Sequence, residues 1–540
     1  MNVECLALPL ANPLAQEYQQ QNASALQFFA YNPYREQSYR ERVEWLQSQS
    51  YPHRNQLVEG LYHFNKEMGT HPEALKNIEL LKQPDTYVVI GGQQAGVLGG
   101  PLYTVNKAVH LIQAAKRLSA ELQANVIPVF WIAGEDHDID EIDHVYWGAD
   151  DGKRLHKERL ALNKKGRQSA STLPLDPELC TQFLEKFFQG QTETAETKQI
   201  RELLTQTAAD SRTIAEWFAR LMAKLFGRHG LVLVESSLPI VRELQQPIFS
   251  QIVENNEQLT KVLLRAADRI STAGYPLQLQ VEEHQANLFV YEGDDRLLLE
   301  RHGERFINRR RSYSRDELLK QVADSPERLS TNVVTRGLMQ EHLFPTLAFI
   351  GGPGEIAYWA YYREVFELFG MQMPIVLPRM SITLVEGAQL RLLDSLGLSI
   401  EQVLTDFTAW KTEWSKNQPP HPLEQQFASA RESIMSIYRP LVEEVISLDG
   451  GLRGLAEKNS KLLLEQVSFL EERLIRSLQQ KDDVEHVRVQ RMETALLPEG
   501  GLQERKHSFF PFANKYGLGL VDRLVDAPFA HDGTHQLYYL

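Results

Sequence analysis

The stretch TYVVIGGQQAGVLGGPLYTVNKAVHLIQAA, residues 86–115, decides the fold of this chain. Residues 87–90 form a continuous apolar run, which is typical of a strand that is buried on both faces. Five glycines follow within residues 91–100, and the apolar residues after them recur at the spacing of one helix face. A buried strand, a glycine-rich loop and a helix in this order predict a parallel α/β sheet.

The rest of the sheet repeats this pattern. A second apolar run at 126–132 completes a βαβ unit and ends in GEDHD, residues 134–138. We predict an α/β fold with a doubly wound, mostly parallel, Rossmann-like sheet, in which ligands bind at the carboxyl ends of the strands. The further strands are predicted at 230–235, 347–350 and 374–377.

The C-terminal part of the chain has a different pattern. Between residues 427 and 448 the apolar residues alternate at spacings of three and four, as in a heptad repeat. The sequence DGG at 449–451 interrupts the repeat, and a similar spacing resumes over 455–478. This pattern predicts an antiparallel α-helical coiled coil. We expect the aromatic-rich tail after it to pack back onto the core.

These patterns divide the chain into a core with two insertions, a coiled coil and a tail. The predicted boundaries are 1–150, 226–270 and 326–395 for the Rossmann-like core, 151–225 for a helical first insertion, 271–325 for a second insertion with a small β hairpin, 396–498 for the coiled-coil domain, and 499–540 for the tail.

Composition and charge exclude several classes of protein. The 540 residues include 57 Lys and Arg against 71 Asp and Glu, and the net charge of −14 disfavours nucleic acid as a partner. The only two cysteines, Cys5 and Cys180, cannot form a disulfide framework or a cysteine-rich zinc site, which fits a reducing cytoplasm.

The sequence gives no sign of export or of a membrane segment. The first basic residue is Arg35, so the positive region of a secretory signal is missing. The long uncharged run at 86–106 contains five glycines and a proline, and we interpret it as a loop between elements. We expect a cytoplasmic protein without a membrane partner.

The glycine-rich loop and the helix after it form the first candidate site. Backbone N–H groups at a helix N-terminus attract phosphate or carboxylate groups. The loop matches neither G-x-G-x-x-G nor the P-loop, so a tight strand-to-helix turn is the alternative interpretation. The candidate nucleotide-binding or substrate-binding residues are Gln93, Gln94, Gly96, Gly99, Gly100, Thr104, Asn106 and Lys107.

The acidic segment at 134–144 is the second candidate site. Its candidate catalytic residues are Glu135, Asp136, His137 and Asp138. One of these groups could deprotonate an attacking amine, or the segment could hold Mg²⁺ or Zn²⁺ through its carboxylates and imidazoles. A solvated acidic loop that ends a strand is the alternative.

A third candidate site combines two later segments. GGPGE at 351–355 lies between a predicted strand and a helix predicted at 356–369, and STNVVTR at 330–336 is rich in hydrogen-bond donors. The alternatives are aromatic core residues and a structural ion pair. The candidate residues are Asn332, Thr335, Arg336, Gly351, Gly352, Gly354, Glu355 and Tyr358.

Four segments carry a resemblance to a known family: GGQQAGVLGGPLYTVNKA (91–108), PVFWIAGEDHDIDEIDH (128–144), STNVVTRGLMQ (330–340) and FPTLAFIGGPGEIAYWA (344–360). With them, the chain resembles the cysteine ligases of bacillithiol biosynthesis over nearly its whole length. The resemblance implies a Rossmann core with two connecting-peptide insertions, a C-terminal coiled coil, and homodimers. From the sequence, the coiled coil could be the dimer contact, a recognition arm or a scaffold.

The resemblance also implies an activity. The family is assigned the reaction that joins the cysteine carboxyl to the amine of glucosaminyl malate. The resemblance implies ATP as a cosubstrate and is compatible with Mg²⁺, and it leaves open whether a zinc ion takes part. Compared with the class I aminoacyl-tRNA synthetases that the core resembles, residues 104–107 lack both histidines of the first signature motif. Arg379 begins a faint echo of the second motif at 379–383.

Two other functions stay open from the sequence. One is a nucleotide-dependent ligase or nucleotidyltransferase that acts on another amino compound. The other is a catalytically reduced scaffold that recruits partners through its coiled coil.

Overall fold

The computed structural model describes residues 3–148, 152–416, 422–479 and 484–540. These residues form two compact units. The first comprises Met1–Asp150, Leu155–Glu386 and Gly501–Leu540, and the second comprises Asp151–Arg154 and Gly387–Gly500.

A five-stranded parallel sheet forms the centre of the first unit and confirms the predicted fold class. Its strands lie in the order Ile375–Pro378, Thr346–Gly351, Thr86–Gln93, Asn125–Ile132 and Val232–Glu235. From the strand Thr86–Gln93, the chain first adds Asn125–Ile132 and Val232–Glu235 on one side. It then returns and adds Thr346–Gly351 and Ile375–Pro378 on the other side. The boundary between Thr86–Gln93 and Thr346–Gly351 is the topological switch point, where α/β sheets bind ligands.

Both faces of this sheet are covered, as the continuous apolar runs require. Val89 and Phe130 pack into one buried cluster, whereas Val88, Ile90 and Val129 pack into a second one on the opposite face. The helix Leu102–Leu122 packs against the strands Thr86–Gln93 and Asn125–Ile132.

Three smaller sheets complete the strands of the first unit. A three-stranded sheet contains Val3–Leu6, His535–Tyr539 and Ser381–Val385. A five-stranded antiparallel sheet contains Ser312–Ser314, Arg305–Ile307, Asp295–His302, Gln285–Glu292 and Leu329–Thr331. A two-stranded sheet contains His144–Gly148 and Leu155–Arg159. The predicted hairpin of the second insertion is thus part of a larger sheet. The strand His535–Tyr539, at the end of the tail, pairs in parallel with Ser381–Val385.

The helices of the first unit are Pro13–Gln19, Ala23–Leu26, Glu36–Gln47, Arg54–Glu67, Pro72–Leu80, Leu102–Leu122, Ile139–Ile142, Pro177–Gln189, Thr197–Ala209, Ile214–Phe226, Pro239–Glu254, Asn256–Thr272, Arg315–Asp324, Val333–Leu343, Pro353–Trp359, Arg363–Leu368, Phe510–Tyr516 and Leu520–Val525. Its 3-10 turns are Val97–Gly99, Gly227–His229, Pro326–Arg328 and Gln503–Arg505.

Two sequence expectations differ from the observed elements. The helix predicted at 356–369 is divided into Pro353–Trp359 and Arg363–Leu368. The chain leaves the helix at 360–362, and the four consecutive residues 359–362 are all buried. The interval 151–225, expected to be helical, also contains the strand Leu155–Arg159.

The second unit is helical and contains the coiled coil. The long helices Pro422–Leu448 and Arg453–Gln479 are joined by the 3-10 turn Gly450–Leu452. Arg431 pairs with Glu471, and the hydroxyl of Tyr438 donates to Oδ1 of Asn459 at 2.5 Å, so the two helices run antiparallel. The remaining elements are the helices Gly387–Leu396, Ile400–Lys416 and Val484–Leu496 and the 3-10 turn Pro498–Gly500. Among the described helices, none combines the length and the apolar character that crossing a bilayer requires.

Gly92 offers a test of how closely the central strands pack. A Cβ at this position would lie 2.6 Å from the backbone oxygen of Trp131 on the neighbouring strand. We expect Gly92→Ala to lower the free energy of unfolding by about 1–3 kcal/mol, because the strands have to separate to accept the methyl group. Urea unfolding measures this loss. The matched control is Gly354→Ala, where no atom lies within 4 Å of the added Cβ, and equal midpoints for the two variants would contradict the expectation.

Candidate active site

A cavity of about 700 Å³ opens at the switch point of the central sheet, a volume that suits a small-molecule ligand. The strands Thr86–Gln93 and Thr346–Gly351 and the segments after them form its floor, and Val333–Leu343 contributes to its wall. Of the predicted site residues, the cavity is lined by Gln93, Gln94, Lys107, Asp136, His137, Asp138, Asn332, Arg336, Gly352, Gly354, Glu355, Tyr358 and Arg379.

The other predicted site residues lie outside this lining: Gly96, Gly99, Gly100, Thr104, Asn106, Glu135, Thr335 and Gly351. Thr335 accepts from the backbone N–H of Asn332 in a capping box at the start of the helix Val333–Leu343. The glycine-rich loop is a compact 3-10 turn, and a Cβ on Gly96 would lie 2.7 Å from the Cα of Gly100. This geometry agrees with the alternative interpretation of a tight strand-to-helix turn.

Glu135 is a buried structural anion rather than a group of the cavity wall. Its Oε2 accepts from Arg242 at 2.5 Å and from Ser330 at 3.0 Å, and its Oε1 accepts from Thr331 at 2.9 Å. Burial alone would raise the pKa of Glu135, but the charges of Arg242, Arg336 and Arg296 outweigh it and lower the pKa to about 2. Glu135 therefore stays ionised. Its contacts hold the segment that follows the strand Asn125–Ile132, where Asp136 and Asp138 line the cavity.

The residues after Glu135 face the cavity. The side-chain amide of Gln94 donates to Oδ2 of Asp136 and to Oε2 of Glu141, both at 2.9 Å. Burial would raise the pKa of Asp136, but the Gln94 hydrogen bond and the nearby arginine charges lower it overall. Asp138 is exposed beside them. Gln94 thus holds two anionic side chains together at one edge of the cavity.

Lys107 is buried and makes three contacts. Its Nζ donates to the backbone oxygen of Gly92 at 2.7 Å, to Oε1 of Gln93 at 3.3 Å and to Oε2 of Glu355 at 2.6 Å. Burial lowers the pKa of Lys107, and the charge of Glu355 opposes this shift. Lys107 therefore links the end of the strand Thr86–Gln93 to the helix Pro353–Trp359, which follows the neighbouring strand Thr346–Gly351.

Arg336 is a cavity cation with an unsatisfied nitrogen. Its Nε lies 3.6 Å from Oε1 of Glu135, and no hydrogen-bond partner for this buried Nε exists in the part of the chain that the structure describes. Its guanidinium is therefore able to bind a carboxylate or a phosphate in the cavity.

Arg379 lines the cavity but is bound to the tail. Its Nη1 and Nη2 donate to Oε2 and Oε1 of Glu504 at 2.9 and 2.6 Å. Glu504 also accepts from Asn106, Ser381 and the backbone N–H of Ile382. This buried carboxylate joins the tail, the helix Leu102–Leu122 and the strand Ser381–Val385. Asn106 is therefore part of a structural network.

We expect Glu504→Ala to cost about 3–5 kcal/mol of stability at neutral pH, because it leaves the buried charge of Arg379 without its partner. Burial would raise the pKa of Glu504, but the charge and hydrogen bonds of Arg379 bring it down to about 2. The pair therefore stabilises the fold above the ordinary pKa of 4.5, and this contribution is lost as the pH falls toward 2. Urea midpoints at pH 7 and pH 3 measure it, and the exposed Glu44 provides the control variant Glu44→Ala. A difference from wild type that does not shrink at pH 3 would contradict the assignment.

Sequence reasoning missed about half of the cavity lining. The further lining residues are Gly92, Tyr103, Trp131, Ala133, Glu141, Gln278, Phe289, Arg296, Val333, Gly337, Gln340, Phe349, Pro353, Trp359 and Arg505. Glu141 lies within the acidic segment that the sequence had indicated. Arg296 stands in no local motif. Arg505 belongs to the stretch LQER, residues 502–505, which also carries the family resemblance, but the sequence has no signal that places either arginine at the switch point.

Within the described ranges, no three or more His, Cys, Asp or Glu side chains are arranged to hold a metal ion. His144 is paired with Asp143, and the distance between its Nδ1 and Oδ1 of Asp143 is 2.9 Å. The acidic segment therefore does not assemble a metal centre from side chains alone.

The sheet, the polar cavity at its switch point and the helical second unit define a Rossmann-like enzyme with a C-terminal coiled coil. Comparison with family models agrees with this class. Residues 1–380 match the model "Bacillithiol biosynthesis BshC, N-terminal Rossmann-like domain", and residues 382–540 match "Bacillithiol biosynthesis BshC, C-terminal coiled-coil domain". The chain belongs to the BshC family of bacillithiol biosynthesis, which confirms the resemblance of its motifs.

Relatives in this family match over the full length of the chain. Proteins from Geobacillus sp. (strain WCH70) and Geobacillus kaustophilus are 37% and 36% identical, and in both cases 100% of each chain is covered. A protein from Bacillus cytotoxicus is 38% identical over 90% of this chain and 91% of its own length. Each of the three is named "Putative cysteine ligase BshC".

Proposed function

We propose that this chain joins the carboxyl group of cysteine to the amine of glucosaminyl malate and so forms bacillithiol. The observation that carries the proposal is the cavity at the switch point, which combines anionic and cationic side chains in a family of bacillithiol biosynthesis. Asp136 and Asp138 suit the cationic amine of a substrate, whereas Arg336 suits a carboxylate or a phosphate.

ATP is the proposed cosubstrate, because a carboxylate does not form an amide in water without activation. The cavity lining includes Arg336, with its unpartnered Nε, and Arg505 as cations for a triphosphate. Tyr103 and Tyr358 supply aromatic faces in the same cavity. Attack of the cysteine carboxylate on the α-phosphorus of ATP would release pyrophosphate and form an acyl adenylate, whereas attack on the γ-phosphorus would release ADP and form an acyl phosphate. The amine would then attack the acyl carbon, displace AMP or phosphate and lose a proton.

Mg²⁺ is proposed to enter with the nucleotide. This ion is commonly held by substrate phosphates and water together with one or two carboxylates. Asp136 and Asp138 could supply such carboxylates, whereas the described side chains offer no group of three or more ligands. We do not propose a zinc ion, because the donor set needed for one is not assembled among the described residues.

A cytoplasmic homodimer is the proposed form of the protein. Large apolar side chains of the coiled coil are exposed, and Ile437 and Leu448 are 77% and 81% accessible. An exposed apolar stripe on a coiled coil fits a second copy of the same helices. Light scattering of the wild type and of Ile437→Glu tests this proposal: a dimer that the substitution dissociates supports it, and a monomeric wild type contradicts it. The free Cys5 and Cys180 fit a reducing compartment.

The proposed reaction is tested with the purified chain, L-cysteine, glucosaminyl malate, ATP and Mg²⁺, followed by mass spectrometry of thiols and nucleotides. Bacillithiol with AMP indicates an adenylate, and bacillithiol with ADP indicates an acyl phosphate. A panel of other amines in place of glucosaminyl malate tests substrate choice. Faster turnover of another amine, or no product with any nucleotide, would contradict the proposal.

A further inference from the structure

His137 contacts the guanidinium of Arg296 in the cavity. The distance between Nδ1 of His137 and Nη1 of Arg296 is 3.0 Å. A guanidinium remains protonated and has only donors, so the imidazole nitrogen in this hydrogen bond must be the acceptor. Nδ1 therefore carries no proton, and the single proton of a neutral imidazole is on Nε2.

Arg296 is held rigidly in the orientation that this contact needs. Its Nε donates to Oγ of Ser330 at 2.8 Å, and its Nη2 donates to the backbone oxygen of Thr331 at 2.5 Å. The guanidinium carbon lies 3.7 Å from the ring centre of Phe289, and the same ring packs edge-on against His137. Arg296 is 3% exposed, and Ser330, Thr331 and Phe289 together fix its orientation.

The surrounding charges agree with a neutral imidazole. Burial lowers the pKa of His137 and the charge of Arg296 lowers it further, while Asp138 and Asp136 oppose the shift and Arg167 adds to it. Oδ1 of Asp136 lies 3.9 Å from Nδ1 of His137, which is too long for a hydrogen bond. His137 is therefore uncharged at neutral pH, since its pKa lies below the ordinary value.

The second ring nitrogen of His137 is left for a ligand. Nε2 has no hydrogen-bond partner within the residues that the structure describes, and His137 lines the cavity. A neutral imidazole with its proton fixed on one nitrogen is a directed hydrogen-bond donor, and such donors stabilise negative charge that develops on oxygen.

We propose that Arg296 is a positioning residue that holds His137 as the neutral tautomer with its proton on Nε2. His137 then donates a hydrogen bond to the acyl oxygen of the substrate and does not act as the base. The identity of that oxygen rests on the proposed function, whereas the tautomer does not.

The test is the tautomer of His137 in the full-length, ligand-free chain labelled with [15N]histidine. Long-range 1H–15N correlation spectra distinguish a protonated ring nitrogen from an unprotonated one, and the signals that disappear in His137→Gln belong to His137. We expect an unprotonated Nδ1 and a protonated Nε2 at neutral pH. A proton on Nδ1, or an imidazolium at neutral pH, would overturn the proposal.

Arg296→Met tests the role of the arginine. We expect the fixed tautomer to give way to exchange between both tautomers, and the pKa of His137 to rise toward its ordinary value because the cation is gone. Arg309→Met, at an exposed position of the same insertion, should leave the His137 signals unchanged. An unaltered tautomer and pKa in a folded Arg296→Met variant would overturn the positioning role. If that variant does not fold, the wild-type spectrum still decides the proposal.

These results separate the tautomer from the proposed function. A wild-type chain with the expected tautomer that makes no bacillithiol would contradict the function alone. An active chain with its proton on Nδ1 would contradict the role of Arg296 alone.

Discussion

Glu135→Gln is expected to lower the free energy of unfolding by about 3–5 kcal/mol. The sequence had indicated Glu135 as a candidate catalytic residue of the acidic segment 134–144, but the structure gives it a structural role. The substitution removes the buried anion that pairs directly with Arg242, whose side chain is 1% exposed. It also removes the anion nearest to Arg336. Urea unfolding at neutral pH measures the loss.

The loss should depend on pH in a defined direction. Because the pKa of Glu135 in the folded chain is about 2 and its ordinary value is 4.5, the stability it contributes is complete above 4.5 and disappears as the pH falls toward 2. Glu185→Gln, at an exposed position of the helix Pro177–Gln189, is the matched control and should change stability little. A Glu135→Gln variant as stable as this control would contradict the structural role.

Substitution of His137 and Asp138 by alanine is expected to abolish ligation without unfolding the chain. Loss of one positioned donor or proton acceptor commonly reduces turnover by about 100-fold or more, and the two losses together should leave no measurable product. Asp138 is exposed, so its loss should not affect the fold. Loss of His137 removes its contact with Arg296, but Arg296 keeps its hydrogen bonds to Ser330 and Thr331. Bacillithiol formation measures the effect, and circular dichroism with urea unfolding checks the fold.

The control for this experiment is the pair His63→Ala and Asp294→Ala, which removes the same residue types at exposed positions away from the cavity lining. It should retain wild-type turnover. Normal turnover by the His137 and Asp138 variant would remove both side chains from the mechanism.

The sequence predicted the parts of the fold that local pattern controls. The central strands contain continuous apolar runs because both faces are buried, and the glycine-rich and acidic segments follow two of these runs. The long helices of the coiled coil follow from the heptad spacing. The break at 360–362 could not be predicted, because these residues include no glycine or proline that would mark it.

The candidate site was predicted where a strand passes through a loop into a helix, as from Gln93 to Lys107 and from Gly352 to Tyr358. Asp136, His137 and Asp138 line the cavity, but the neighbouring Glu135 turns inward because Arg242 on a later helix neutralises it. Arg296 enters from the second insertion, far along the chain. No periodicity in the sequence connects such residues to the switch point, since their placement comes from tertiary packing.

The most direct test of the proposed reaction is the amount of isotope-labelled bacillithiol made from 13C-labelled cysteine and glucosaminyl malate in the presence of ATP and Mg²⁺. Wild type and the variant with alanine at both His137 and Asp138 are compared at equal concentrations of folded protein. The proposed function predicts labelled bacillithiol from the wild type and none from the variant. No labelled product from the wild type, or equal amounts from both proteins, would contradict it.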